Sequence, residues 1–256
     1  MIALLAAAAL VVCAPGFPGS SAEARPAMDA LAGSLIRAGH LPAGSLTAVY
    51  EETEAGGLRR LSQADAALLL APLPFFLDHE QELKLVARLS AVPKGGEALE
   101  RWTLVTGKDH PASLEGYTVQ SSAGYSKRFV RAAAPGLPAG VEIRGGGAVL
   151  SALRKAADGE KVAVLLDGAQ AAALGNLPFA SSLAVISTSP PMPVALVATV
   201  GKRMDASRWK SVEAAFKRAA EDPAGREALE GVRMTGFAAV DQPALSAARA
   251  AWRLAQ

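Results

Sequence analysis

The chain has 256 residues, enough for one large domain or for two lobes of about 100 residues each. Half of it is apolar but only 5% is aromatic, a composition dominated by Ala, Leu, Val and Gly that suits helices packed closely on sheets rather than a β-sandwich. Its 26 basic and 24 acidic residues leave a net charge of +2 with no long basic run, which argues against a nucleic-acid-binding face and against a charged tail. The single cysteine, Cys13, excludes an internal disulfide and a multi-thiolate metal centre, and His40, His79 and His110 lack ligand spacing. The histidines read as loop or helix-end residues. No metal and no cofactor is expected.

Residues Met1–Val12 are wholly apolar, too short to cross a bilayer but of the length of a signal-peptide core, with Ala22-Glu23-Ala24 as a small-x-small cleavage site. The Lys or Arg that precedes such a core is missing. Val12 is also bulky where a lipid-anchored cysteine needs a small neighbour, so no anchor is expected at Cys13. A competing reading makes Leu10–Ala14 a buried strand, Pro15-Gly16-Phe17-Pro18-Gly19 a turn and Ser20 a helix N-cap. Glu23 then completes a capping box, and Met28, Leu31, Leu35 and Ile36 follow helical spacing. This second reading is favoured. It leaves residues 1–9 as a truncated signal segment, or places the export signal upstream of a misplaced start.

In chain order, a helix is predicted over 21–38, a strand over 46–51 and a short helix over 54–61. The continuous apolar run 66–71 reads as a strand covered on both faces, ending at Pro72-Leu73-Pro74, a rigid turn into a short helix. A strand over 83–89 and a run at 101–106 follow. A second set then begins: strands at 116–121, 141–144, 162–167 and 183–187, with helices at 126–133, 148–158 and 169–174 between them. A long apolar strand at 194–200 precedes helices at 205–221, 223–230 and 243–255. Such alternation predicts an α/β architecture of two mainly parallel sheets flanked by helices. The runs near 101–107 and 190–200 are expected to be crossings between lobes, giving lobe one as 10–106 plus 191–256 and lobe two as 107–190, with a ligand cleft between them.

The stretch Gly116-Tyr-Thr-Val-Gln-Ser-Ser-Ala-Gly-Tyr-Ser-Lys-Arg-Phe129 carries the functional reading. It predicts a strand, a run of small residues and a helix opening near Tyr125 or Ser126. Backbone N–H groups through Tyr125, flanked by Ser121, Ser122 and Ser126, form a receptor for an oxyanion; the alternative is an ordinary N-cap after an ordinary strand. Lys127 and Arg128 either add positive potential there or are solvated helix residues. Rival chemistries lack their residues. Gly145-Gly146-Gly147 has no G-x-G-x-x-G spacing, Gly107-Lys108-Asp109 is no P-loop, and Ser121 as a nucleophile has no histidine base. Asp167 is a general-base candidate or a strand-end cap.

The order of these pieces resembles the periplasmic substrate-binding proteins of phosphate, phosphite and phosphonate uptake, the type 2 periplasmic-binding-protein fold. The resemblance is carried by Ala64–Phe76, Ala112–Gly124, Ala157–Asp167 and Asp222–Phe237, and together these span most of residues 10–240. It implies a two-lobed, monomeric receptor that closes around a small anionic ligand and delivers it to an ABC permease in the membrane, with a periplasmic location and no catalysis. Carried over by position, Ser121, Ser122, Gly124 and Tyr125 stand at the anion and Asp167 at the cleft edge. Pro72 and Leu73 line the opposing lobe, as does the loop Pro15, Gly16, Phe17. Two departures set phosphonate itself apart: Arg144–Gly147 offers no acidic group for an ammonium, and no tyrosine follows Pro72. The alternatives are a transferase-like enzyme of the same two-lobed fold and a ligand sensor without a permease; a permease and ATPase encoded beside the chain would favour transport.

Overall fold

The computed structural model describes residues 7–17 and 19–255. The signal-segment reading falls mostly on residues 1–6, outside those described. In chain order the elements are β1 (Ala8–Cys13), α1 (Ser21–Gly39), β2 (Leu46–Glu51), α2 (Glu54–Leu61), β3 (Ala66–Pro72), α3 (Leu73–His79), β4 (Leu85–Pro93), β5 (Leu99–Glu100), β6 (Thr103–Gly107) and β7 (Thr118–Ser121). There follow α4 (Lys127–Ala133), β8 (Glu142–Gly145), α5 (Val149–Ala157), β9 (Val162–Leu166), α6 (Gly168–Ala173) and β10 (Leu183–Thr188). The chain ends with β11 (Met192–Pro193), β12 (Ala195–Val200), α7 (Ala206–Arg218), α8 (Pro223–Gly231), β13 (Met234–Ala239) and α9 (Gln242–Leu254).

These form two compact units. The first gathers the chain through Ala14, Gly19–Ala98 and Pro193–Asp241; the second takes the loop from Pro15, Leu99–Met192 and the chain from Gln242. The first unit has a six-stranded sheet in the order β13-β4-β12-β3-β1-β2. Strand β1 lies between two parallel partners, with Leu10 opposite Ala48 on β2 and Leu68 on β3. All six β1 residues are buried. The capping box is present: Ser20 Oγ accepts from Glu23 N–H, and the Glu23 carboxylate accepts from Ser20 N–H. Helix α1 then lays Met28, Leu31 and Leu35 against Leu10, Leu68, Val212 and Phe216 in the core. Its C-cap is His40, in the left-handed region at φ 48°.

The second unit has a five-stranded sheet in the order β10-β6-β9-β7-β8, with Val105, Leu153, Val164 and Leu166 at the centre of a small core. Both sheets are mixed rather than mainly parallel. Strands β8, β7 and β9 run parallel, but β6 is antiparallel to β9 and β10 is antiparallel to β6; in the first sheet β12 is antiparallel to both β3 and β4, and β13 to β4. Strand β12 follows the chain's return from the second unit and runs opposite to its neighbours, a direction that local strand–helix alternation does not encode.

The first passage between units falls earlier than the expected crossing at 101–107, and the second falls within the expected 190–200. The chain passes at Ala98/Leu99 and at Met192/Pro193, and the runs 101–106 and 194–200 become ordinary sheet strands β6 and β12. On the first unit's side Val194 N–H donates to Ala98 O at 3.1 Å; on the second's, Ser189 N–H donates to Trp102 O at 2.8 Å. Helix α9 packs on α4 and belongs to the second unit, where the expected division gave it to the first lobe. Arg128 explains this. Its guanidinium donates to the carbonyls of Trp252, Arg253 and Ala255 at the end of α9 and stacks on the Trp252 ring at 3.9 Å. Arg128 is thus an exposed residue whose guanidinium caps the end of α9.

Candidate functional site

Three parallel strands of the second unit end side by side, with Ser121 on β7 opposite Gly145 on β8 and Leu165 on β9. The carboxyl end of a parallel sheet is where α/β folds place ligands, because strand-to-helix loops gather there. The loop Ser121–Ser126, the run Gly145–Gly147 and Asp167 all stand at this end.

Ser121 faces inward. Its hydroxyl donates to Leu165 O at 3.0 Å and accepts from Ala123 N–H at 3.2 Å, so it ties β7 to β9 and closes the turn. The expected ring of amides is also largely engaged: Gly124 N–H donates to Ser121 O and Ser126 N–H to Ala123 O. Ser126 caps α4, accepting from Phe129 N–H at 3.3 Å. Ser122 differs. It is 5% exposed, and among the described residues no hydrogen bond holds its hydroxyl.

Two glycines set the position of Ser122. Gly16, at φ +85°, lies against its carbonyl: a Cβ there would stand 3.1 Å from the Ser122 carbonyl carbon and closer still to the oxygen. Gly124 abuts the end of β8, where a Cβ would meet the Arg144 carbonyl carbon at 2.5 Å and Gly145 Cα at 2.6 Å. Pro15 and Gly16 are therefore structural neighbours of the serine loop, with Pro15 buried and Phe17 45% exposed. Tyr125 is half-buried beside them.

Asp167 caps α6. Its Oδ1 accepts from Gln170 N–H at 2.8 Å, the Gln170 side chain returns to Asp167 N–H, and burial pushes its carboxyl above the usual carboxylate range. Beside it stands a residue the sequence reading missed. Glu100 Oε2 accepts from the Gly168 N–H at 2.8 Å. Burial raises its carboxyl to about 7, with the Gly168 amide lowering it and the Asp167 charge raising it. Trp102 is buried edge-on to Phe129, with ring centroids 5.1 Å apart.

In the first unit, Pro72 ends β3 and serves as the N-cap of α3. Leu73 is 0% exposed, with its N–H donating to Val194 O at 3.2 Å, so its side chain is core rather than lining. Cys13 is buried in β1 with its thiol pushed up to about 12 by burial, then by Glu51 and Glu54. His79 ends α3 in contact with Glu54 at 2.8 Å, and His110 sits in a turn against Pro111 O. Among the described residues no three His, Cys, Asp or Glu side chains gather in a way that could hold a metal ion.

The raised Glu100 carboxyl has a consequence for stability. Its folded value of about 7 lies above the ordinary carboxylate value of 4.5, so the folded chain holds this proton more firmly than the unfolded chain. Stability is then greatest below that ordinary value, falls as pH rises from it towards neutrality, and levels off above the folded value. Asp167 acts in the same direction. Urea unfolding between about pH 5 and about pH 8 should show a decline of up to about 3 kcal/mol, since each tenfold difference in proton affinity between folded and unfolded chain is worth about 1.4 kcal/mol. Glu100→Gln, which keeps an acceptor for the Gly168 amide, should remove most of that slope.

No protein-family model matches the sequence, and no curated protein matches it. The fold is nevertheless shared with solved structures. The chain is similar to a Xanthomonas citri protein bound to chloride ion, with a TM-score of 0.75 and 15% identity over 96% of this chain and 97% of that one. It is similar to a binding-protein component of an ABC phosphonate transporter from Pseudomonas aeruginosa, with a TM-score of 0.61 and 13% identity over 93% and 83%. A Prochlorococcus marinus protein in complex with methylphosphonate gives 0.56 and 11% over 96% and 97%. The fold class is the two-sheet α/β fold of the periplasmic binding proteins.

Proposed function

We propose that the chain is the substrate-binding protein of an ABC uptake transporter: an exported, monomeric, periplasmic receptor that captures a small oxyanion of the phosphate or phosphonate kind and presents it to a membrane permease. The observation that carries the reading is Ser122, a residue only 5% exposed whose hydroxyl has no hydrogen-bond partner among the described residues, at the carboxyl end of three parallel strands and fixed between Gly16 and the Gly124 contact. Support comes also from similar folds that hold anions, chloride in one and methylphosphonate in another. Binding requires only donors held in place. Turnover would require an acid–base or nucleophile–base pair, and the Ser121 hydroxyl is instead engaged with the Leu165 carbonyl and the Ala123 amide.

The two serines separate binding from folding. A hydrogen bond to a charged group contributes about 1.5–3 kcal/mol, so Ser122→Ala should weaken binding of the cognate anion by about 10- to 100-fold with little change in the unfolding midpoint. Ser121→Ala should do the reverse, costing about 1–3 kcal/mol of stability because it strands the buried Leu165 carbonyl and Ala123 amide. A thermal-shift screen over phosphate, phosphite, phosphonates, sulfonates and small carboxylates finds the ligand, since binding raises stability by mass action. Calorimetry then reads the two variants. Unchanged affinity in Ser122→Ala removes the site. A hit that is consumed, with the consumption lost in Asp167→Asn, makes the chain an enzyme.

A further inference from the structure

Glu100 is an acidic group that the serine loop does not use. It lies on β5, just past the chain's entry into the second unit, and its Oε2 is bound to the Gly168 amide at 2.8 Å. That amide opens α6 immediately after Asp167 at the end of β9, and β9 is the direct neighbour of β7, with Leu165 opposite Ser121. A strand spacing of about 5 Å then sets both carboxyls on the order of 10 Å from Ser122. The packing fixes Glu100 there: a Cβ on Gly168 would stand 2.9 Å from its Cβ. Asp167 is the charged group acting on Glu100, and the neighbouring Arg101 is turned away, its Nη1 donating to Ser189 O at 3.0 Å. An anion seated at Ser122 adds a further negative charge at this end of the sheet, in surroundings that screen less than water does.

We propose that Glu100 is the proton-linked residue of the anion site: the anion binds more tightly when Glu100 is protonated, and near neutrality binding draws a fraction of a proton from solvent onto its carboxylate. The inference rests on the serine loop being an anion site. Its sign is fixed. Affinity is highest where Glu100 is already neutral and falls as pH rises through its titration, because each bound anion must then either recruit a proton or accept the repulsion. A charge at about 10 Å in partly buried surroundings changes the proton affinity of Glu100 roughly tenfold, which makes the change in anion affinity about tenfold as well.

The test is isothermal titration calorimetry on the full chain with sulfate, methanesulfonate and chloride, whose charge is constant between about pH 6 and about pH 8.5. Phosphate and methylphosphonate are added as probes, with Glu100→Gln supplying the baseline for their own ionisation. The expected result is an affinity about tenfold weaker at the higher pH, and near neutrality a binding heat that varies with the ionisation enthalpy of the buffer, which reports proton uptake. Glu100→Gln should bind at every pH with the low-pH affinity and, for the non-titrating probes, show no buffer dependence. Its folding is checked by its urea midpoint, and the wild-type buffer dependence needs no variant. Binding that is independent of pH and buffer overturns the proposal and leaves the anion site standing. So does proton uptake that persists in Glu100→Gln. Failure of all five anions to bind overturns the anion site and this inference together.

Discussion

A chain shortened to begin at Arg25 is expected not to fold. Such a chain is what cleavage after Ala24 would leave, and it lacks all of β1 and the N-terminal cap of α1. Strand β1 is not an edge. It pairs with β2 on one side and β3 on the other, so its removal unpairs two ladders at once and splits the first sheet. Leu10, Val11 and Cys13 are 0% exposed and Val12 only 7%. At about 1.5–3 kcal/mol per buried aliphatic side chain, the strand's apolar burial alone approaches 10 kcal/mol, comparable with the whole stability of a domain. Loss of the Ser20–Glu23 box adds roughly 1 kcal/mol. The measurement is far-ultraviolet circular dichroism and urea unfolding of the shortened chain beside the full one. A cooperative transition near the full-length midpoint would mean that β1 is dispensable and that the apolar amino terminus serves export.

The features legible in the sequence were those set by neighbours along the chain. Ser20 and Glu23 marked a helix start because a capping box closes within one turn. Helix α2 and strand β10 were legible from the apolar pattern and its punctuation, and the serine loop from the small residues between a strand and a helix. What stayed hidden depends on long-range placement. Glu100 meets Gly168 across 68 positions of sequence and Gly16 meets Ser122 across more than a hundred, so no local pattern announces either. The inward turn of Ser121 follows from its pairing opposite Leu165, which a single strand cannot reveal. Strand β13 was missed because Gly236 and two alanines give Met234–Ala239 little alternation. Helix α9 reads as any amphipathic helix, and only Arg128 reaching its last carbonyls decides which unit it joins.

Gly124→Val is expected to be the most damaging single substitution in the serine loop. The reason is contact between backbones rather than conformational freedom. Among the site's glycines, Gly124 faces the end of β8 so closely that any Cβ would meet the Arg144 carbonyl carbon at 2.5 Å and Gly145 Cα at 2.6 Å, with the carbonyl oxygen nearer still. A flexible side chain could swing aside, but these are main-chain atoms locked in the β7–β8 ladder, where Gln120 pairs with Arg144 and Ser121 with Gly145. Relief therefore requires pulling the loop off the sheet. Overpacking of this kind costs about 1–3 kcal/mol where neighbours can adjust, and a branched side chain against fixed backbone should reach or exceed the upper end. The same displacement moves Ser122, so any anion affinity should fall along with stability. Gly147→Ala, from the neighbouring run Gly145–Gly147, is the control: a Cβ there meets nothing within 4 Å, and it should leave both the urea midpoint and the affinity near the wild-type values. Equal behaviour of the two variants would show that Gly124 is not held against β8, and that Ser122 owes its position to something other than this contact.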